Sequence, residues 1–225
     1  MTNPPNRTRI LHRDWLAGSG AFSGRARSLA DGPRDTLLDR VAESELANVR
    51  AGLAPARRAR LQQATRLLRD APAVGVLGLR SCHPVAFALH YGLSLFRDDV
   101  VLVGGAGGTM LDALGDLPAG AALVAISAAP YSRETVEAAR HAQGTGLRIV
   151  AMTDGDLTPL SRLAEITLVS ANEGPGHLAS VTGFMALAQG LASLALAESG
   201  EAGLAALRRR EAFLAARSVY LPEDS

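Results

Sequence analysis

Lysine is absent from this 225-residue sequence, and all 23 of its basic residues are arginine. A chain without lysine cannot form the Schiff base of an aldolase or of a pyridoxal enzyme. It also lacks the lysine with which a P-loop holds nucleotide phosphates. A phosphate site in this chain would therefore depend on other donors, such as hydroxyl groups and helix N-termini.

Cysteine and long apolar runs are scarce as well. The single cysteine, Cys82, excludes an intramolecular disulfide and is compatible with a reducing compartment. No signal-peptide pattern occurs, and no apolar run reaches the roughly 18 residues that a membrane-spanning helix needs. We expect a cytoplasmic location and no membrane partner.

Aromatic residues make up only 4% of the chain, although hydrophobic residues make up 48%, so the core must consist of Ala, Leu and Val. The net charge of +1 is unevenly distributed. Residues 1–70 hold 13 Arg and 7 acidic residues (+6), whereas residues 71–200 hold 6 Arg and 11 acidic residues (−5). The excess of positive charge in residues 1–70 is compatible with contact to a nucleic acid or with solvent-exposed, Arg-rich helices.

Five short apolar runs, most of them rich in β-branched residues, alternate with helical patterns, which is typical of a parallel sheet buried on both faces. We predict an α/β fold, a five-stranded parallel sheet flanked by helices in the flavodoxin-like order 2-1-3-4-5. The predicted strands are 74–79, 100–103, 122–127, 148–153 and 166–170. The predicted helices are 35–50, 55–70, 83–96, 109–115, 132–143, 157–164, 177–198 and 204–217.

The same patterns divide the chain into three parts. Residues 1–34 form a basic segment without helical periodicity, which we expect to be poorly ordered. Residues 35–200 form the α/β domain with two helices as an N-terminal appendage, and residues 201–225 form a last helix and tail. The helices over 177–198 and 204–217 are apolar over more surface than one sheet face would cover. We therefore expect a homodimer or a tetramer.

In an open parallel sheet, ligands bind beyond the carboxyl ends of the strands where the winding reverses, here between strands one and three. The loops at that point carry hydroxyl groups and lead into helix N-termini, which attract anions. Each serine alone would be typical of a turn or a helix cap, but together they indicate a phosphate site. The candidate ligand-binding residues are Gly78, Arg80, Ser81, Ser127, Ser132 and Thr135.

The stretch 123–174 resembles the SIS (sugar isomerase) domain of RpiR/MurR-family transcriptional regulators. The motif is the run 130–135, PYSRET, with Thr153-Asp154 and Pro159-Leu160 downstream, and the resemblance extends from about residue 35 to 200. It implies a sugar-phosphate or amino-sugar-phosphate effector, held by hydroxyl groups after the first and third strands. By resemblance these are Ser81, Ser127, Ser132 and Thr135, while Ala129 stands where many SIS domains have a second serine.

Regulators of this family normally begin with a complete helix-turn-helix domain, in which one helix braces the recognition helix. Only about 34 residues precede the first SIS helix here, and the run 20–24, GAFSG, resembles the tail of such a domain. We expect the helix-turn-helix to be largely absent. DNA binding should then be weak or depend on a missing N-terminal domain.

The alternative to a regulator is an aldose–ketose isomerase of sugar phosphates. SIS isomerases use a general base, often Glu or His, and the two candidates are Glu173 and His177 after the fifth strand. If the protein is not an isomerase, Glu173 is an ordinary loop residue and His177 begins a helix. In a regulator we expect no catalytic residue. A third possibility is a protein that pairs with full-length relatives through its SIS surface.

We expect no metal ion and no cofactor. The histidines have no carboxylate partner at ligand spacing. The glycines within residues 104–108 follow the second strand, but they lack the G-x-G-x-x-G spacing of a dinucleotide-binding loop. Gly104 also stands at the end of that strand, where a dinucleotide site would need an acidic residue. Asp154 and Asp156 are interpreted as caps of the following turn, and Cys82 as a small buried filler rather than a nucleophile.

Overall fold

The computed structural model describes residues 22–104 and 106–221. Five parallel strands form one sheet in the order β2-β1-β3-β4-β5, which confirms the predicted fold class and strand order. The strands are β1 (Val74–Gly78), β2 (Val100–Val103), β3 (Ala122–Ile126), β4 (Arg148–Thr153) and β5 (Ile166–Val169).

Eight α-helices occur in the described ranges. They are α1 (Phe22–Asp31), α2 (Leu37–Gly52), α3 (Arg58–Asp70), α4 (His83–Ser94), α5 (Met110–Gly115), α6 (Arg133–Gly144), α7 (Thr182–Glu198) and α8 (Gly200–Ala215). Three short 3-10 turns cover Pro55–Arg57, Arg80–Cys82 and Ala106–Gly108. In residues 22–104 and 106–221, no helix combines the length and the apolar character that crossing a bilayer requires.

Helices cover both faces of the sheet, which explains why its central strands are continuously apolar. Every residue of β1 and β3 is buried. Val74 and Val76 belong to a core cluster formed with α3, α4 and α7. Leu77 belongs to a second cluster on the other face, formed with α5 and α6. The sheet is therefore covered mainly by aliphatic side chains, as the composition predicted, with Phe96 and Phe184 as buried aromatic residues.

Helix α7 is the centre of the helical layer on one face. It packs against α2, α3, α4 and α8, and Phe184, Leu187 and Leu191 are almost fully buried there. These contacts within the chain account for much of the apolar surface of α7. The expectation of self-association can therefore not rest on that helix by itself.

Two helices predicted from the sequence differ from the structure. Residues 157–164 form turns instead of a helix: the Ser161 N–H donates to Thr158 Oγ1 (3.1 Å), and the Thr158 N–H donates to Ser161 Oγ (2.7 Å). These reciprocal bonds replace helical ones, and Leu160 is fully buried between them. The helix predicted over 177–198 begins at Thr182, so His177 lies in the preceding loop.

The N-terminal segment also differs from expectation where it is described. Residues 22–31 of the segment predicted to be poorly ordered form α1. Contacts far along the chain explain this helix, since the Arg25 guanidinium donates to the carbonyls of Gly174 (2.9 Å), Gly176 (2.9 Å) and Leu178 (3.2 Å). Residues 1–21 lie outside the described residues.

Gly183 and Gly190 in α7 give a direct test of this packing. A Cβ at Gly183 would lie 2.9 Å from the Asn48 carbonyl oxygen and would also overlap Ser170 Oγ. We expect Gly183→Ala to lower the free energy of unfolding by about 1–3 kcal/mol. The matched control, Gly190→Ala, meets Leu53 Cδ2 at 3.5 Å and Leu61 Cδ2 at 3.8 Å, both ordinary contacts, and should be neutral or stabilising by up to about 1 kcal/mol. Urea denaturation measures both, and equal effects would contradict the described packing of α2 on α7.

Candidate functional site

The loop after β1 folds closely over the end of its strand. A Cβ at Gly78 would lie 2.8 Å from the carbonyl oxygen of Cys82, so this position requires glycine. Arg80 follows in the left-handed region at a φ of 55°, a conformation that costs a non-glycine residue energy and often marks a ligand site. Arg80 and Ser81 are both exposed.

Helix α4 begins directly after this loop, at His83. In the described structure no side chain caps its N-terminus. The N–H groups of a first helical turn have no acceptor inside the helix and carry a partial positive charge. The His83 N–H already donates to the Arg80 carbonyl, and Pro84 has no N–H. The loop after β1 therefore brings an arginine, a serine and the positive end of a helix to the carboxyl edge of the sheet without using lysine.

The loop after β3 is organised by two serines. The Ser132 N–H donates to Ser127 Oγ (3.2 Å), and the Thr135 N–H donates to Ser132 Oγ (3.4 Å), which makes Ser132 the N-cap of α6. Because both hydroxyl oxygens are used as acceptors, both hydroxyl protons can be donated to another group. Ser127 and Ser132 are 3% and 8% exposed, so they form the floor of the site.

Thr135 lies below that floor, in the first turn of α6. Its side chain is fully buried, and among the described residues its hydroxyl has no hydrogen-bond partner. A buried hydroxyl without a partner costs about 1–3 kcal/mol. Thr135 is therefore a donor without an acceptor directly beneath the loop that carries Ser127 and Ser132.

The two loops are brought together by the sheet. β1 and β3 are adjacent, with Gly78 in register with Ile126, and the thiol of Cys82 lies against the backbone of Ala128. Burial raises the pKa of this thiol, in keeping with a buried filler. The structure thus places the loop after β1 next to the loop after β3 at the carboxyl edge of the sheet.

Asp154 holds the loop after β3 in place, so its interpretation as a turn cap was wrong. Its Oδ2 accepts from the Ala129 N–H (3.1 Å), and its Oδ1 accepts from the Tyr131 hydroxyl (2.8 Å) and from the Thr153 hydroxyl (3.2 Å). Asn172 adds a longer bond to Oδ2 (3.5 Å). One carboxylate at the end of β4 therefore fixes the loop after β3.

Tyr131 is the neutral partner in this cluster. Burial and the neighbouring carboxylate of Asp154 both raise the pKa of its hydroxyl above the usual range. The phenol consequently stays protonated and donates to Asp154 at physiological pH. Asp156 has no such part, because it forms an exposed ion pair with Arg60 (2.6 Å).

The two candidate general bases lie in the loop between β5 and α7. The side chains of Glu173 and His177 are exposed, and within residues 22–104 and 106–221 neither forms a hydrogen bond or an ion pair. The backbone of Glu173 is held at both ends, since its N–H donates to Asn48 Oδ1 (3.2 Å) and its carbonyl accepts from Asn48 Nδ2 (2.6 Å). The geometry fixes the position of Glu173 without pairing its carboxylate with the serines.

The glycine-rich loop after β2 borders the same edge. Gly104 adopts a φ of 102°, and a Cβ there would lie 2.9 Å from Leu79 Cδ2. Gly104 therefore lets this loop pass close to the loop after β1. In the ranges that are described, no three His, Cys, Asp or Glu side chains are grouped so that they could hold a metal ion.

This geometry defines an α/β protein in which two hydroxyl-bearing loops lie side by side at the point where its parallel sheet reverses. The SIS domain family model matches residues 67–199, which is more than half of the chain. The protein belongs to the SIS domain family, and the resemblance seen in the sequence is confirmed at this level. Comparison with curated protein sequences finds no match.

Solved structures share the fold. The sugar isomerase domain of an RpiR transcription factor from Sphaerobacter thermophilus is 27% identical, with a TM-score of 0.73 over 78% of this chain and 98% of that one. Vibrio vulnificus NanR, solved in complex with ManNAc-6P, is 22% identical, with a TM-score of 0.70 over 86% of this chain and 73% of its own. A Methanococcus jannaschii protein with an inferred 3-hexulose-6-phosphate isomerase function is 14% identical, with a TM-score of 0.56 over 77% of this chain and 96% of its own.

Asp154→Ala tests whether this carboxylate holds the loop after β3. The substitution leaves the Ala129 N–H and the Tyr131 hydroxyl without their acceptor, so we expect a loss of about 2–3 kcal/mol in unfolding free energy. Asp156→Ala is the matched control two residues away and should cost at most about 1 kcal/mol, because its ion pair is exposed. Thermal or urea unfolding distinguishes the two variants. Equal losses would mean that Asp154 does not organise the site.

Proposed function

We propose that this protein is a sugar-phosphate sensor of the RpiR/MurR regulator type, whose effector is a sugar or amino-sugar phosphate. The observation that carries this proposal is that the adjacent strands β1 and β3 both lead, at the carboxyl edge of the sheet, into the N-termini of helices, α4 and α6. Both helix starts carry a partial positive charge, which favours a dianionic group over a neutral one. The kinship with a regulator domain and with a structure that binds ManNAc-6P supports the same ligand class.

The hydroxyl groups give the phosphate its neutral donors. In this proposal Ser81, Ser127 and Ser132 donate to phosphate oxygens, and the buried Thr135 hydroxyl gains an acceptor. Arg80 supplies the positive charge that a lysine provides elsewhere. Gly78 contributes indirectly, because its missing side chain lets the loop that carries Arg80 and Ser81 fold closely over the end of β1.

Contact with DNA belongs to this proposal only in a limited form. The basic side chains of the front part of the chain can pair with the phosphate backbone, which orients a protein on DNA without reading its sequence. Binding of that kind is weak and falls steeply with salt.

Serine substitutions test the site. Calorimetry with a panel of pentose, hexose and amino-sugar phosphates should find at least one ligand for the unaltered protein. Ser81→Ala and Ser132→Ala should each weaken that ligand by about 1–3 kcal/mol, a factor of about 5 to 150. Ser193→Ala, an exposed position in α7, should leave affinity unchanged. If neither Ser81→Ala nor Ser132→Ala alters binding, the ligand occupies another site.

An isomerase remains the second candidate, because Glu173 presents an exposed carboxylate from a fixed backbone near the same edge. Turnover of an aldose or ketose phosphate that is lost in Glu173→Gln would establish the enzyme. We expect no turnover by the unaltered protein. His177→Gln is the companion variant, since His177 is the other exposed group of this loop that could act as a base.

We also propose self-association through the outer face of α4. Phe87 and Tyr91 stack there with ring centroids 6.3 Å apart, although they are 52% and 45% exposed, and the Tyr91 hydroxyl meets that of Tyr220 (3.1 Å). Aromatic side chains of this kind are typical of interface cores, and symmetric dimers are the commonest assembly.

Light scattering measures the assembly directly. We expect a mass of two or four chains of 23.4 kDa at micromolar concentration, and a shift towards the monomer for Phe87→Ser with Tyr91→Ser. The control Leu157→Ser changes an apolar side chain that is 76% exposed in the turn after β4. A monomeric mass for the unaltered chain would contradict self-association.

A further inference from the structure

Residues 170–181 form the loop between β5 and α7, which we call the β5–α7 strap. On the side of the strap that faces the loop after β3, the Asn172 amide donates to Asp154 Oδ2 (3.5 Å). The same carboxylate oxygen accepts from the Ala129 N–H (3.1 Å) in the loop after β3. The strap therefore shares one acceptor with the loop that carries Ser127 and Ser132.

The middle of the strap is held by α2. Asn48, only 1% exposed, binds both backbone polar groups of Glu173, the residue that follows Asn172. Asn48 also reaches Glu45 Oε2 (3.5 Å), which accepts from the Ser180 hydroxyl. The Ser180 N–H in turn donates to the Asn172 carbonyl (3.1 Å), so the two ends of the strap are tied to each other.

The far side of the strap holds α1. None of the ten residues of α1 is buried. Its Arg25 guanidinium donates to three strap carbonyls, those of Gly174, Gly176 and Leu178. These three acceptors converge on one side chain only while the strap keeps this conformation. The attachment of α1 therefore depends on the order of the strap.

We propose that the β5–α7 strap couples occupancy of the proposed phosphate site to the attachment of α1, with Asn172, Asn48 and Arg25 as its positioning residues. This inference rests on the proposed function for its ligand, and on the hydrogen bonds above for its path. A phosphate that fixes the loop after β3 also fixes Asp154, and hence the strap and α1. By linkage, detaching α1 must weaken the ligand by the same factor by which the ligand strengthens the attachment.

Hydrogen-exchange mass spectrometry of the ligand-free protein tests the path. Asn172→Ala lies on the side that faces the loop after β3, and we expect it to raise amide exchange in residues 22–31 by about fivefold or more, although Asn172 makes no bond to α1. Asn48→Ala should raise exchange in residues 22–31 and also in residues 127–135. Glu43→Ala, an exposed position on α2, should change neither segment.

Arg25→Ala provides a variant in which folding is not at risk, because it alters an exposed helix. It should raise exchange in the strap and in α1. Unchanged exchange of residues 22–31 in both Asn172→Ala and Asn48→Ala would overturn the coupling, whatever the ligand.

The ligand arm separates the two proposals, with N-acetylmannosamine 6-phosphate and glucosamine 6-phosphate as probes. If no sugar phosphate binds the unaltered protein, the proposed function fails, and the ligand-free exchange still decides the coupling. If a probe binds, it should slow exchange in residues 22–31, and Arg25→Ala should weaken it about fivefold or more. Binding with equal affinity to Arg25→Ala would overturn the coupling and leave the sensor intact.

Discussion

Between β1 and β3 the sheet reverses its winding, and this reversal fixes what can happen at its carboxyl edge. The chain leaves β1 towards the face covered by α4 and leaves β3 towards the face covered by α6. Two loops consequently leave neighbouring strands towards opposite faces of the sheet, the arrangement in which open parallel sheets bind ligands. Both loops enter helices of 12 residues, whose N-termini carry a partial positive charge. The anion site that we propose here needs no lysine, because the backbone supplies part of the positive field.

A carboxylate so close to the proposed anion site needs a physical explanation. Asp154 accepts bonds from three groups within 3.2 Å, including the N–H of Ala129 and the hydroxyl of Tyr131. Its charge is thus directed into the loop after β3 and stiffens it, while the N-terminus of α6 is capped by Ser132, which accepts from the Thr135 N–H. The cost of placing a negative group here is offset by a loop that is organised before a ligand arrives.

The sheet could be predicted from the sequence because each strand is a short apolar run and each reversal of pattern is marked by Gly, Pro or polar residues. The serines of the loops after β1 and β3 could be named as candidates because the strand order dictates which loops are neighbours, and their role in binding stays a prediction. The sequence carried weaker signals for Asp154, a single acid after β4, and for Asn48, an amide inside a helical pattern. Their partners lie 25 and 125 residues away along the chain. The local pattern of apolar and polar residues does not indicate pairings over such separations. Helix α1 was missed for the same reason.

The central claim is that a sugar phosphate binds where α4 and α6 begin. The most direct measurement is a titration of the ¹⁵N-labelled protein with N-acetylmannosamine 6-phosphate and related sugar phosphates, followed by amide NMR shifts. The account predicts that the largest shifts fall on residues 79–84 and 127–135, at the two helix starts. Saturable shifts confined to another surface, such as the cavity of about 290 Å³ lined by Leu53, Leu61 and Leu194, would contradict it.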